Sequence, residues 1–192
     1  GALREALARE GVSGGFAAIY PVLKAMEEAG RLRRGYFVEG LGASQFAVPG
    51  AEDRLRNVPE QKQAVVLAAT DPANAWGHLL PWPDAAGAGP RCSRSAGARV
   101  ILHQGHLLAF ISQGGDQVAT FLPANEPERG HAASRLVAGL ERAARGRRQL
   151  HLARIDGAVQ AVDDLHRALL DGGFQHGYRG YTYKSDVADL HA

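Results

Sequence analysis

The stretch GGFAAIYPVLKAMEEAG at 14–30, followed by RLRRGYFVEGLGASQFAVP at 31–49, decides how the first third of the chain folds. Phe16, Ile19, Tyr20, Leu23 and Met26 recur at helical spacing and predict one amphipathic helix. Ser13 is placed to cap its start, and Gly30 to stop it. Pro21 lies inside the run, so a kink or a split into two short pieces is expected there. Upstream, Leu3, Ala6 and Leu7 form an earlier helical stripe, broken by the glycines of 11–15. Downstream, the β-prone runs 36–38 and 45–48 flank a glycine-rich loop and predict a hairpin. Helix, turn, helix and two-stranded wing is the plan of a winged helix.

Outward from that stretch, a short helix over 51–56 and the polar residues 59–63 read as a linker. The expected domains are therefore 1–58 and 59–192. Residues 65–69 form an apolar strand run, and a long Pro/Gly/Ala-rich loop extends to about residue 95. The runs 98–103 and 106–112 flank Gln104-Gly105, a two-residue turn of primed type. A further strand follows over 117–122, completing an antiparallel meander. The last third reads as helix 131–144, strand 149–155, helix 161–171 stopped by Gly172 and Gly173, and strand 178–184. The expected class is α+β: a winged helix followed by an α+β module with an antiparallel, barrel-like sheet.

Composition narrows the function classes. Hydrophobic content of 45% and charged content of 22% are ordinary for a soluble globular protein. No stretch approaches the roughly 18 apolar residues that cross a bilayer, so no membrane partner is expected. No secretory segment is visible, and one cysteine, Cys92, excludes an internal disulfide, in keeping with a reducing cytoplasm. Opening at Gly1 inside a helical pattern points to a piece of something longer. There is no phosphate-loop sequence, so ATP chemistry of that kind is not expected of this stretch. There is no nucleophile elbow and no Cys/His ligand framework. His103 and His106 flank a turn, but a pair lacking a third ligand reads as solvated rather than as a metal site.

Charge distribution says more than the net +2. The basic residues are 19 Arg and only three Lys, and between Arg129 and Arg154 seven arginines face one acid, Glu141. Arginine binds phosphate bidentately and stacks on bases, although a GC-rich genome also favours it. Arg142, Arg145, Arg147 and Arg148 close a helix, where basic residues also complement the helix dipole; four within seven residues exceeds that need and suggests phosphate contact. The wing and its approach offer Arg31, Arg33, Arg34 and Tyr36 for the same purpose. The helix before the wing carries only Lys24 against Glu27 and Glu28, so base readout by it looks poor. Trp76 and Trp82 share a proline-stiffened segment; Trp76 is a candidate for stacking on unpaired bases, and plugging of the sheet is the competing reading.

That segment, DPANAWGHLLPWP at 71–83, resembles a stretch characteristic of the large helicase-related (Lhr) family of bacterial DEAD/DEAH-type DNA helicases. Residues 14–38 look like a winged helix of the same family, and 94–100, 154–157 and 169–174 continue the resemblance in order. The resemblance implies an ATP-dependent 3′-to-5′ DNA helicase linked to repair, of which this chain would be the C-terminal part. It implies ATP and Mg for the parent's helicase domains and no cofactor for this piece. It also implies DNA, the protein's own helicase core and further copies of the chain as partners. DNA deglycosylation is attributed to the region in such proteins, which leaves three readings open: DNA binding and assembly, a glycosylase module, or pure oligomerisation. The ending from Tyr178 departs from the family pattern, so no catalytic role passes to Asp186 or Asp189. Asp71 and Asp156 sit in better-matched motifs, but an Asp before Pro is equally a turn residue.

Overall fold

A computed structural model describes residues 13–37, 44–59, 62–85 and 87–185. The Leu3–Leu7 stripe, the wing loop and the tail carboxylates Asp186 and Asp189 lie outside the described residues. The chain divides into two compact units: 1–60 with 75–81, and 61–74 with 82–192.

In the first unit, α1 spans Gly15–Glu28 and runs unbroken through Pro21. One lost amide donor and the ring's crowding do not split it. Its N-cap is Gly14 at φ 82°, not Ser13, and no side chain caps it. The stop at Gly30 has the expected physics: Gly30 N–H donates to Glu27 O and Arg31 N–H to Met26 O, a Schellman pair closed by a residue at φ 70°. β1 (Arg33–Gly35) pairs antiparallel with β2 (Gln45–Ala47), three residues earlier than the aromatic run suggests. Leu32 is buried and anchors the chain just before pairing begins. Phe37 N–H then donates to Gln45 Oε1 at 2.9 Å, closing the ladder with a side chain. A short helix, α2 (Ala51–Arg56), follows.

The second unit is the α+β module. Its first sheet has the order β3 (Val65–Ala68), β4 (Arg99–His103), β5 (His106–Ile111), β6 (Gln117–Thr120) and β8 (Arg154–Ile155). Gln104 and Gly105 lie at φ 50° and 82°, the two positive values a type I′ turn demands. A bulge between Ile101 and Leu102 shifts the β4–β5 register. The expected single strand 149–155 is two. β7 (Gln149–Leu152) joins a second sheet, while β8 pairs parallel with β6. The switch is Ala153, whose N–H donates to Asp116 O at 2.7 Å. The second sheet has the order β7, β10 (Gly180–Lys184), β9 (Gln175–Gly177). The sheets are antiparallel apart from β6–β8, and neither closes into a barrel among the described strands.

α3 (Glu128–Ala144) packs against strands of both sheets, and α4 (Asp163–Asp171) packs against α3 and β9. Ala132, Ala133, Leu136, Val137, Leu140, Ala143 and Ala144 form the buried stripe of α3 at helical spacing. They pack with Ile101, Ile111, Leu150, Leu152, Leu165, Leu169, Phe174 and Tyr181 in one core. Small residues set the close approaches: a Cβ on Gly139 would overlap Ile101 Cγ2, and one on Gly172 would overlap Val137 Cγ1. Among the described residues no helix is long and apolar enough to cross a membrane.

Candidate nucleic-acid interface

The arginines of the second unit sort into two groups by what they touch. Arg94 donates to the carbonyl oxygens of Asn74 (2.7 Å), Thr70 (3.0 Å) and Asp71 (3.1 Å), stapling the turn that leaves β3. Arg135 donates to Lys62 O at 2.8 Å and meets His103 Nε2 at 2.8 Å. Arg142 donates to Ala64 O at 3.2 Å and to Gln63 Oε1, so this expected phosphate contact instead ties α3 to the segment entering β3. Arg129 pairs with Asp164 across α3 and α4. Arg99 donates to Ala143 O at 2.9 Å, satisfying a carbonyl at the end of α3.

Arg145, Arg147 and Arg148 are different. They are exposed, follow directly on the last residue of α3, and make no side-chain hydrogen bond or ion pair among the described residues. Arg99 lies close to Arg147: burial lowers the Arg99 pKa, and the charge of Arg147 lowers it further. Like charges are held together here, and an anion would relieve their repulsion. Burial raises the Glu141 carboxyl while Arg145 opposes the rise.

The ladder carries this basic end onto the second sheet. Lys184 stands opposite Gln149, and Ser185 N–H donates to Arg148 O at 3.3 Å. Register puts Gln149, Lys184, His151, Thr182 and Gln175 on one face, while Leu150, Leu152 and Tyr181 point into the core. His151 Nδ1 and Thr182 Oγ1 are 3.2 Å apart across the strands. At the other end the β9–β10 turn presents Tyr178, 87% exposed, with the Arg179 guanidinium 5.4 Å from its ring centre. Gln149, His151, Gln175, Thr182, Tyr178 and Arg179 line an open groove of about 510 Å³. Sequence reading missed Tyr178, Arg179, His151 and Lys184, because only strand register brings them together.

In the first unit, Arg34 is drawn back onto α1: its Nε lies 3.3 Å from Glu27 Oε1, and its Nη1 lies 3.5 Å from Tyr20 Oη. Arg31 and Arg33 are exposed, and Tyr36 is 88% exposed. Arg33, Arg34 and Tyr36 share an open groove of about 580 Å³ with Glu52 and Arg56 of α2. Trp76 is half-buried in a tight turn, bridged to Leu80. In the second unit Trp82 packs edge-on against the buried Phe110, with ring centres 5.6 Å apart.

The carboxylates of the recognisable motifs hold turns. Asp71 Oδ1 accepts from Ala73 N–H at 2.8 Å, and Asp156 accepts from Thr120 N–H (2.7 Å) and from the Thr120 hydroxyl (2.6 Å). Burial pushes the Cys92 thiol up to about 11, which makes it a poor nucleophile. Among the described residues no three of His, Cys, Asp or Glu are grouped to hold a metal ion.

Residues 2–66 match the family described as large helicase-related protein, winged-helix domain. The chain is 50% identical over 123 residues, 60% of its length, to "Lhr helicase/ probable uracil glycosylase" of Mycolicibacterium smegmatis. It is 41% identical over 141 residues, 67% of its length, to "Lhr helicase/uracil glycosylase" of Escherichia coli K12. It spans only 8% and 9% of the lengths of these two relatives. The winged-helix match in the first unit and the continuous similarity to both relatives identify the chain as a member of the large helicase-related family.

Proposed function

We propose that this chain is an accessory, motor-free segment of a DNA helicase, and that it binds DNA in the service of repair. The observation that carries the reading is the trio Arg145, Arg147 and Arg148, exposed at the end of α3 and adjoining Arg99. Arginines that complete the fold are spent on carbonyls and carboxylates; these three are left to meet phosphate. Arg31, Arg33 and Tyr36 on the wing offer a second contact of the same chemistry. ATP and Mg would serve helicase domains outside this piece, and the protein's own helicase core and further copies of the chain are its expected partners in the cytoplasm. Both relatives carry uracil glycosylase in their names, and uracil is foreign to DNA but normal in RNA, which favours DNA as the polymer. The test is Arg145→Glu, Arg147→Glu and Arg148→Glu together. The triple variant should keep its thermal midpoint and lose at least about tenfold in DNA affinity at 0.1 M salt. Unchanged affinity would overturn the reading.

The relatives' names also support a second reading, a share in uracil excision. Alkali-labile cleavage of uracil-containing DNA by this chain, lost in Asp186→Asn or Asp71→Asn, would establish it. Intact product would remove it.

A further inference from the structure

The three-stranded sheet presents one face to solvent that the core does not use. Gln149, His151, Gln175 and Thr182 line it, Lys184 stands at one end, and Tyr178 with Arg179 at the other. The groove on this face is lined by no Asp or Glu. From Gly180 to Lys184 the face is about 13 Å long, at roughly 3.3 Å per residue.

Tyr178 is the telling residue. A tyrosine that is 87% exposed on a hairpin tip contributes almost nothing to folding, and the Arg179 guanidinium stands over its ring. Gly177 beside it has open space where a side chain would stand, so among the described residues that part of the face is uncovered. An aromatic ring next to bare backbone, a row of amide, imidazole and hydroxyl groups, and cations at both ends match the chemistry of an unpaired polynucleotide. The ring takes a base by its π-face, which is available only when the base is not stacked in a duplex; the cations take phosphate. The groove is lined by no Leu, Ile, Val, Met, Phe or Trp that would anchor a protein partner.

We infer that the solvent face of the β7–β10–β9 sheet is a landing surface for single-stranded DNA, with Tyr178 stacking on a base and Lys184 and Arg179 meeting the backbone. This rests on the DNA-binding reading above and adds strandedness and place to it.

The experiment measures the intact 192-residue chain against two labelled probes: a dT oligomer of about 15 nucleotides, within the span of known single-strand sites, and a duplex of equal length. Tyr178→Ala should weaken dT binding about tenfold, leave duplex affinity within about twofold, and leave the salt slope unchanged. Tyr178→Phe should restore dT binding, since the ring and not the hydroxyl does the stacking. Irradiation of an oligomer carrying 5-iododeoxyuridine should attach it to Tyr178 or His151. If Tyr178→Ala binds dT like the parent while Arg147→Glu with Arg148→Glu does not, the landing surface is wrong and the DNA-binding reading stands. If the parent chain binds neither probe, both fall. If the chain forms a multimer that Tyr178→Ala dissolves, the face belongs to a protein contact and the inference is overturned.

Discussion

Gly180 shows how a single residue fixes the second sheet. It sits at φ 108°, and a Cβ there would overlap the Leu152 carbonyl oxygen, where β7 gives way to β8. Gly180→Ala should cost about 2–3 kcal/mol by urea denaturation, from strain and overpacking together. Gly177→Ala, three residues away with open space and no positive φ, should stay within about 0.5 kcal/mol. Equal costs at the two sites would contradict the described hairpin. Cys92 offers a second check at this scale. With its thiol pushed up to about 11 by burial, its alkylation by iodoacetamide should rise about tenfold per pH unit from pH 7 to 10. A plateau near pH 9 would mean an ordinary exposed thiol. Residue chemistry was partly legible in advance. Asp71 before proline holds a turn through Ala73 N–H, as turn chemistry suggests, but Arg142 and Arg145 are indistinguishable in sequence. Only the fold reveals that Arg142 meets Ala64 O while Arg145 projects beyond the helix end.

At the scale of elements, local signals were read well wherever they were self-contained. The Gln104-Gly105 turn and the Gly30 stop depend on backbone conformations that a few residues dictate, and both have the expected form. Signals that depend on distant partners were not legible. Residues 149–155 look like one strand, and nothing local says that Ala153 moves the chain from one sheet to the other. The parallel β6–β8 pairing and the starting residue of the wing strand are of the same kind. Helix pairing makes a prediction here. Burial raises the Asp164 carboxyl, but hydrogen bonds from Arg129 and from the backbone outweigh it, so its pKa in the folded state is lowered. A lowered folded pKa stabilises above the unfolded carboxyl's value of about 3.9, and the gain is lost as pH falls through the folded value. Asp164→Asn should therefore cost about 1 kcal/mol at pH 7, with the gap to the parent closing as pH falls below the unfolded carboxyl's value. A gap independent of pH would mean that the pair does not contribute through charge.

Over the whole molecule, charge is the property that joins fold to function. The net charge of +2 is modest, and many arginines of the second unit are consumed in holding the chain together. What remains is placed rather than abundant: Arg145, Arg147 and Arg148 after α3, Arg179 beside Tyr178, and Arg31 and Arg33 on the wing unit. The account rests on those residues meeting phosphate, and phosphate contact has a thermodynamic signature that shape complementarity lacks. The direct measurement is the affinity of the 192-residue chain for a dT oligomer as a function of salt. The trio Arg145, Arg147 and Arg148 should contribute about −2 to the slope of log affinity against log salt, at roughly −0.7 per contact on a single strand, and Arg145→Glu, Arg147→Glu and Arg148→Glu together should remove that share of it. Binding that does not change between 0.05 and 0.3 M salt, or no binding at 0.05 M, would contradict the account.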